Sequence, residues 1–316
     1  MVQCSRALLT LPLLALPSLA VAESADVLPK GAYVGYAGIG SETFAHIRYQ
    51  ADSPSADGER DRVWWGRLQL YGAMAPVDRL QVSLALPLVM STVSDHDDRI
   101  PCSSDDDPFC EPIQNLGEAA LEARVALLRK DVPLTLGLGA VADPWNAGEE
   151  RGQFNAIGQG AFGAVASIYG GPRFQAFGNS ASVVAWARYR YTMGGRTVDG
   201  PAGELKAPGD FAGGGAEVQT RPAKGWMLTL GGQGGARPGG VGWDTDYMSH
   251  YIRTDDRWGV LRYKHIDASA KVSRDLKPDG SVGLHVGLGR TVWAVNAPPD
   301  LWWGSVGVHK YVAPGG

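Results

Sequence analysis

Large apolar residues recur every second position in a series of short segments of the chain. Leu80–Met90 shows this most clearly, because all its even positions are large and apolar and its odd positions are Gln, Ser, Ala, Pro and Val. Successive side chains of a β-strand point to opposite faces, so the even positions form one apolar face. The period therefore predicts strands with one apolar face and one face of polar or small residues.

Twelve such segments follow one another, and the connections between them alternate in length. Ala75–Asp78 and Lys277–Gly280 are short and contain turn residues, whereas the connections near 93–115 and 237–256 are long and polar. Short turns on one side and long loops on the other are typical of an all-β, antiparallel up-and-down barrel in an outer membrane. The predicted strands are 31–48, 62–75, 79–92, 116–130, 132–143, 156–169, 180–193, 209–221, 225–236, 257–274, 280–294 and 301–312.

The apolar faces of these strands carry no charge across their middle. A lipid-facing Lys or Arg at mid-depth costs about 2–4 kcal/mol, so this pattern favours strands that face lipid. Tryptophans lie near strand ends, as in the aromatic girdles of such barrels. Arg262 and Lys264 share the parity of the apolar face, so we expect them to lie above the membrane or a bulge to reset the register there.

The first residues resemble a secretory signal. Residues 7–19 are mostly apolar and end before the small-residue site Ala20–Ala22, which predicts a signal peptide at 1–22 and one barrel domain at 23–316. Export permits disulfides, and we expect Cys102 and Cys110, which share one acidic loop, to pair. The formal charge of −4 argues against nucleic acid as a partner.

The faces opposite the apolar ones carry charges of both signs. Two interpretations stay open: a pore lining that sorts solutes by charge, or a network that braces and fills a narrow barrel. No thiol-rich ligand spacing or phosphate loop is present, so neither a metal nor a cofactor is predicted. The predicted lumen-lining residues are Arg67, Glu118, Glu122, Arg124, Arg188, Arg190, Glu217, Asp267, Lys271 and His285.

Three passages resemble a known family of outer-membrane barrels. They are Tyr71–Val89, Asn115–Leu128 and Pro133–Gly139, with a hairpin turn at Val77–Leu80, a strand-end proline at Pro87 and a strand-opening Gly117–Glu118 pair. The resemblance is to the family named after the meta-cleavage pathway of phenol degradation, which is distantly similar to long-chain fatty acid and aromatic hydrocarbon transporters. It implies passage of hydrophobic or aromatic solutes. Those transporters carry an N-terminal plug, whereas about eight residues after the signal are too few for a plug domain.

These observations predict a bacterial outer-membrane barrel that passes small molecules and is not an enzyme. The expected partners are outer-membrane lipid and lipopolysaccharide, a small-molecule solute and the barrel-assembly machinery. A surface barrel with a plugged lumen is the alternative. A lipid-modifying enzyme is the third hypothesis, because some outer-membrane barrels place a Ser–His pair on their outer surface; here Ser249 merely precedes His250, and adjacent residues rarely form such a pair.

Overall fold

Sixteen strands make up nearly all of the regular structure in the part of the chain that the structure describes. The computed structural model describes residues 25–47, 60–94, 113–117, 119–129, 132–142, 162–176, 178–193, 196–200, 203–207, 210–237, 263–295 and 301–314. Residues 1–22, Glu118, Cys102, Cys110, Ser249 and His250 lie outside this part of the chain. The strands are β1 (Tyr33–Ile47), β2 (Arg60–Val77), β3 (Leu80–Ser94), β4 (Ile113–Leu116), β5 (Ala119–Leu128), β6 (Leu134–Ala142), β7 (Phe162–Gly170), β8 (Arg173–Ala176), β9 (Asn179–Met193), β10 (Arg196–Gly200), β11 (Gly203–Ala207), β12 (Phe211–Ala223), β13 (Trp226–Arg237), β14 (Tyr263–Asp275), β15 (Val282–Val295) and β16 (Trp302–Val312).

The strands close into a barrel of twelve wall positions, which confirms the predicted antiparallel fold. Each position pairs with its sequence neighbours, and β1 pairs with β16 from Tyr33↔Val312 to Thr43↔Trp302. β4 and β5 share one position, and so do β7 and β8. β10 and β11 form a separate hairpin, in a stretch that the sequence predicts as a loop.

Two wall positions are interrupted, and the sequence shows why. β3 contains Pro87 in its interior, opposite Gln69 of β2, so the prediction of a strand-end proline is wrong. Proline has no N–H to donate, and the strand beside it breaks at Gly117, whose N–H donates to the Pro87 carbonyl (2.8 Å). β7 breaks at Gly171, with φ of +155°, where any Cβ would collide with the Val183 carbonyl.

The barrel is apolar outside and polar inside, the reverse of a soluble barrel. Leu138 is 70% exposed and Ile39 is 65% exposed on the outer face, whereas Thr135 and Gln69 are 0% and 2% exposed on the inner face. An apolar outer surface of this size is stable when lipid surrounds it. The closed sheet can lie in lipid because it leaves no backbone edge unpaired. The predicted inward and outward parities therefore agree with the burial along the spanning strands.

Charged residues on the outer face lie toward the strand ends. Lys264 is exposed and keeps its outward parity, because the register shift at Ile266/Asp267 adds a residue to β15, not to β14. The Arg290 guanidinium lies over the Trp302 ring (5.0 Å to the centroid) at the loop end, and that of Arg274 over Trp226 (4.9 Å) at the turn end. These pairs suit the two membrane boundaries, where amphipathic rings and snorkelling cations are stable.

The described residues contain no helix of the length and apolarity needed to cross a bilayer.

Candidate functional site

The inner face of the barrel brings the charged residues together. Of the predicted lumen-lining set, Glu122 and Arg188 are half-buried and the other described members are at most 6% exposed. Those buried members are Arg67, Arg124, Arg190, Glu217, Asp267, Lys271 and His285. All of them alternate with outward apolar neighbours, so they lie inside the wall. Burial of this many charges requires that they be paired or hydrogen-bonded.

One group of these residues, which we name the arginine–tyrosine cluster, joins β5, β7 and β9. It consists of Glu122, Arg124, Ser167, Tyr169 and Arg188. Arg124 Nε donates to Glu122 Oε2 (2.6 Å), and Ser167 Oγ donates to Glu122 Oε1. The Tyr169 hydroxyl donates to Glu122 Oε1 (3.1 Å) and accepts from Arg124 Nη2 (2.8 Å) and Arg188 Nη2 (3.2 Å). Two guanidinium groups thus meet around one carboxylate and one phenol.

Glycines on the intervening strand β6 make this arrangement sterically possible. A Cβ at Gly137 would lie 2.6 Å from Glu122 Oε1 and would collide with Ser167 Oγ. A Cβ at Gly139 would lie 2.5 Å from the Leu121 carbonyl oxygen. The strand therefore forms part of the wall without filling the interior.

A second polar group lies on β13, β14 and β15. Asp267 accepts hydrogen bonds from Thr291 Oγ1 (2.9 Å) and Gln233 Nε2 (3.3 Å), and His265 Nε2 lies 3.6 Å from its Oδ2. Asp267 is 2% exposed, so these partners replace the water that a carboxylate would otherwise bind.

His285 stacks on Tyr36 across the join between β15, β16 and β1. Their ring centroids are 5.1 Å apart with an interplanar angle of 18°, and Tyr36 OH lies 3.0 Å from His285 Nε2. Gly307 lies beneath the pair, since its Cβ would be 2.6 Å from Tyr36 Cε2 and 2.7 Å from His285 Cε1.

Residues 25–32, which we name the N-terminal segment, cross the interior at the turn end of the barrel. Ala25 packs on Tyr169 and Val184, and its carbonyl accepts from Thr135 Oγ1 (2.5 Å). Asp26 pairs with Arg173 of β8. Leu28 packs against the inner side chains of β1, β2 and β3, and its N–H donates to Gln81 Oε1 (3.0 Å). Because β9 lies six wall positions from β1, the segment reaches from one side of the barrel to the other.

An apolar cavity of about 890 Å³ lies along the wall where β15, β16, β1, β2 and β3 meet. Its lining residues include Leu68, Leu88 and Leu288 together with Arg67 and Ser305. The lining also includes Gly40, Gly66, Gly287 and Gly304, so few side chains occupy the space along this part of the wall.

Comparison with known proteins finds a match at the level of the fold. No protein-family model and no curated protein matches the sequence. The COG4313 outer membrane channel from Pseudomonas putida F1 has a similar fold, with a TM-score of 0.62 and 14% identity over 92% of this chain and 98% of that chain. This chain is a bacterial outer-membrane β-barrel.

Two further solved barrels are more distant from this outer-membrane barrel. The translocator domain of the autotransporter NalP from Neisseria meningitidis gives a TM-score of 0.47 at 11% identity, over 92% of each chain. The CymD monoaromatic hydrocarbon channel gives 0.41 at 11% identity, over 90% of this chain and 89% of that chain. The fold shared with the COG4313 channel supports the resemblance of the three sequence passages at the level of the barrel fold.

Some residues of the site were absent from the sequence prediction. Ser167 and Tyr169 share the inward parity of β7, so the period-two rule applied to that strand would have found them. The N-terminal segment has no period, and no pattern in it signals that it lies inside the barrel. Glu118 lies outside the described residues, as do Cys102 and Cys110, and their roles stay predictions.

Proposed function

We propose that this protein carries small molecules across the outer membrane, with hydrophobic or aromatic molecules among them. The observation that carries the proposal is the inner face, where charged side chains, hydroxyls and glycines lie among apolar side chains such as Val34, Val89 and Val165. Apolar side chains that fill a barrel would exclude both water and solute. This lining instead has polar groups that can bind water or solute, and its glycines leave space beside the wall. The resemblance of the three passages to the phenol meta-pathway family supports the hydrophobic or aromatic part of the proposal.

The apolar cavity at β15–β16–β1–β2–β3 supports the same part of the proposal. A cavity of about 890 Å³ is large enough for a small organic molecule, and such sites are mostly apolar with a few polar groups. Arg67 and Ser305 supply the polar groups here.

Planar-bilayer recording of the refolded mature chain tests the passage of solutes. We expect stable conductance steps, and the variant R188E/R190E should shift the ion selectivity toward cations because both side chains lie in the interior. R129E is the matched control, since Arg129 is exposed just after β5, and its selectivity should equal that of the parent. Silence from a barrel that heat-modifiable gel mobility shows to be folded would reject an open aqueous pore.

Uptake of a fluorescent hydrophobic probe tests the hydrophobic part. Vesicles with lipopolysaccharide in the outer leaflet resist N-phenyl-1-naphthylamine, so the protein should accelerate the rise in fluorescence. Equal rates with and without the protein would refute this part and leave the ion data unaffected.

A barrel with a plugged lumen is the second candidate function, and the N-terminal segment favours it. The segment fills part of the interior near β9 and β1–β3. Silence in both assays from the folded barrel would establish this structural role. The lipid-modifying hypothesis gains no support from the placement of His265 and His285, because both lie inside the barrel and a lipid substrate meets its outer surface.

We also infer that residues 1–22 are removed on export, leaving 23–316 as the barrel, and that Cys102 and Cys110 form a disulfide. Intact mass of the outer-membrane form, with and without reductant and a thiol-alkylating reagent, tests both. Contacts of the wall with lipopolysaccharide and with the barrel-assembly machinery belong to the same proposal.

A further inference from the structure

The turn end of the barrel has an excess of exposed positive charge. Two carboxylates at this end, Asp26 and Asp275, are half-buried and pair with arginines. The exposed charged residues described at this end are the cations Lys30, Arg79, Arg129, Arg173, Arg221, Lys224, Arg274, Lys277 and Lys310 and the carboxylates Asp78 and Asp279. An end with this imbalance attracts anions.

Two of these cations, Arg274 of β14 and Lys310 of β16, lie on the lipid-facing side of the wall. Each lies two positions after an outward valine that is 43% exposed. Arg274 pairs with Leu284 of β15, and Lys310 pairs with Val282 on the other edge of that strand. Neighbouring strands are about 4.8 Å apart and each residue rises about 3.4 Å, so the two Cα atoms lie about 12 Å apart. Both side chains are long enough to reach one group between them.

Within the described part of the chain, neither of these two cations forms an ion pair. The carboxylates of the adjacent β14–β15 turn have partners of their own. Asp275 pairs with Arg221 (3.6 Å), and Asp279 Oδ1 accepts from the Ser281 N–H (3.0 Å). The described residues therefore leave the charge of both cations to a ligand outside the chain.

The Trp226 ring indicates the depth of this pair in the membrane. Trp226 is the first residue of β13 and is 38% exposed, and the Arg274 guanidinium lies over its ring, 4.9 Å from the centroid. Indole rings prefer the boundary between lipid headgroups and hydrocarbon. Arg274 is therefore placed at the depth of the lipid phosphates.

The wall beside Lys310 has room for an acyl chain. Gly35 of β1 is the cross-strand neighbour of Lys310, and Gly72 of β2 is that of Gly35. An added Cβ at either glycine would have nothing within 4 Å. Tyr33 and Met74, which pair with each other, are 52% and 54% exposed at the turn side of this open strip.

We propose that Arg274 and Lys310 bind the phosphate of an anionic phospholipid in the inner leaflet of the outer membrane. Guanidinium and ammonium groups both donate charge-assisted hydrogen bonds to phosphate oxygens. The surrounding cations favour a glycerol headgroup over an ethanolamine headgroup, which has an ammonium of its own. One acyl chain lies along Gly35 and Gly72. The inference concerns the outer face, so it does not depend on the passage of solutes through the interior.

Native mass spectrometry of the folded mature chain in detergent tests the site with equal amounts of two lipids. These are dioleoyl phosphatidylglycerol and dioleoyl phosphatidylethanolamine, which share their acyl chains and phosphate and differ in net charge. We expect the complex with phosphatidylglycerol to be at least about fivefold more abundant, since each basic residue near an anionic lipid surface contributes about that factor. Equal abundances of the two complexes would overturn the proposal.

Glycerol 1-phosphate distinguishes a lipid from a free phosphate group. At the concentration of the lipid it should not displace bound phosphatidylglycerol, because it has no acyl chain to pack on the wall. Displacement at that concentration would exclude a lipid as the specific ligand.

Variants test the two cations. R274Q/K310Q should bring the ratio of the two complexes close to one. R290Q is the matched control, because Arg290 is also exposed and lies over a tryptophan ring, that of Trp302 (5.0 Å), but at the loop end. Heat-modifiable gel mobility shows which variants are folded, and if the double variant is not, K310Q alone serves and should lower the ratio. An unchanged ratio in the folded variant would refute the site.

Discussion

At the residue scale, the interior depends on positions that have no side chain. Gly137 of β6 faces Glu122 and Ser167, and the hydrogen bonds of both side chains occupy the volume that its Cβ would need. Charge and glycine are therefore coupled across neighbouring strands. At this position Glu122 lies along the wall because its neighbour has no Cβ.

Gly137→Ala should destabilise the barrel by about 1–3 kcal/mol, because overpacking forces Glu122 or Ser167 from its hydrogen bonds. Urea titration of the protein in lipid vesicles, followed by tryptophan fluorescence, measures this. Gly72→Ala is the control, since nothing lies within 4 Å of its added Cβ, and its stability should match or slightly exceed that of the parent. Equal stabilities of the two variants would contradict the coupling.

The sequence predicts which residues point inward but not which of them meet. Parity is local to a strand, so Arg124 and Arg188 were assigned to the interior from their own segments. Their convergence on Tyr169 depends on the stagger of four strands, through Arg124↔Gly137, Gly137↔Ser167 and Ser167↔Arg188. The sequence of a single strand does not show how far that strand is shifted along its neighbours.

At the scale of elements, the period of two residues predicts the strands but does not predict the interruptions at Gly117 and Gly171. Pro87 lies in β3 and Gly117 lies in the break between β4 and β5, so the contact between them is visible only when these two wall positions are paired. The β10–β11 hairpin replaces a predicted loop, because Arg196–Gly200 and Gly203–Ala207 pair with each other and not with the wall.

Deleting residues 25–30 should raise the single-channel conductance, because the N-terminal segment would no longer occupy the interior. The wall should still fold, since Gly31 and Ala32 keep their backbone hydrogen bonds to Ala75. Planar-bilayer recording measures the conductance, and Lys30→Gln, at an exposed position, is the control that should leave it unchanged. A folded deletion variant with the parent's conductance would show that the segment does not limit the path.

The turn between β14 and β15 should respond to acid. The Ser281 N–H donates to Asp279 Oδ1 (3.0 Å) and lowers the pKa of that carboxyl below its ordinary 3.8. A carboxyl with a lowered folded-state pKa stabilises the fold above 3.8, and this contribution is lost as the pH falls through the lower folded value. NMR titration should give a lower pKa in the barrel than in a peptide of residues 275–283. Identical values would exclude the bond in solution.

At the scale of the whole molecule, the residues that the outer surface tolerates depend on their depth in the membrane. Leu138 lies at the centre of β6 and is 70% exposed, whereas Leu128 lies at the turn end of β5 and is 55% exposed. Both leucines are exposed but lie at different depths, so they form a matched pair of sites for substitution. The hydrocarbon excludes charge most strongly at its centre.

Leu138→Arg should therefore cost about 2–4 kcal/mol and Leu128→Arg about 0–1 kcal/mol in lipid vesicles. Urea titration of the two variants measures the difference. Equal costs would mean that the hydrocarbon region is not centred on the middle of β6.

The pairing of β1 with β16 restricts how a barrel of this kind changes size in evolution. The loss of a single strand would reverse the direction of every strand after it, and the last strand would then meet the first in parallel orientation. It would also leave one end of the chain on the cell surface. Growth or shrinkage by a whole hairpin avoids both consequences, so descendants of this chain should differ from it by two strands at a time.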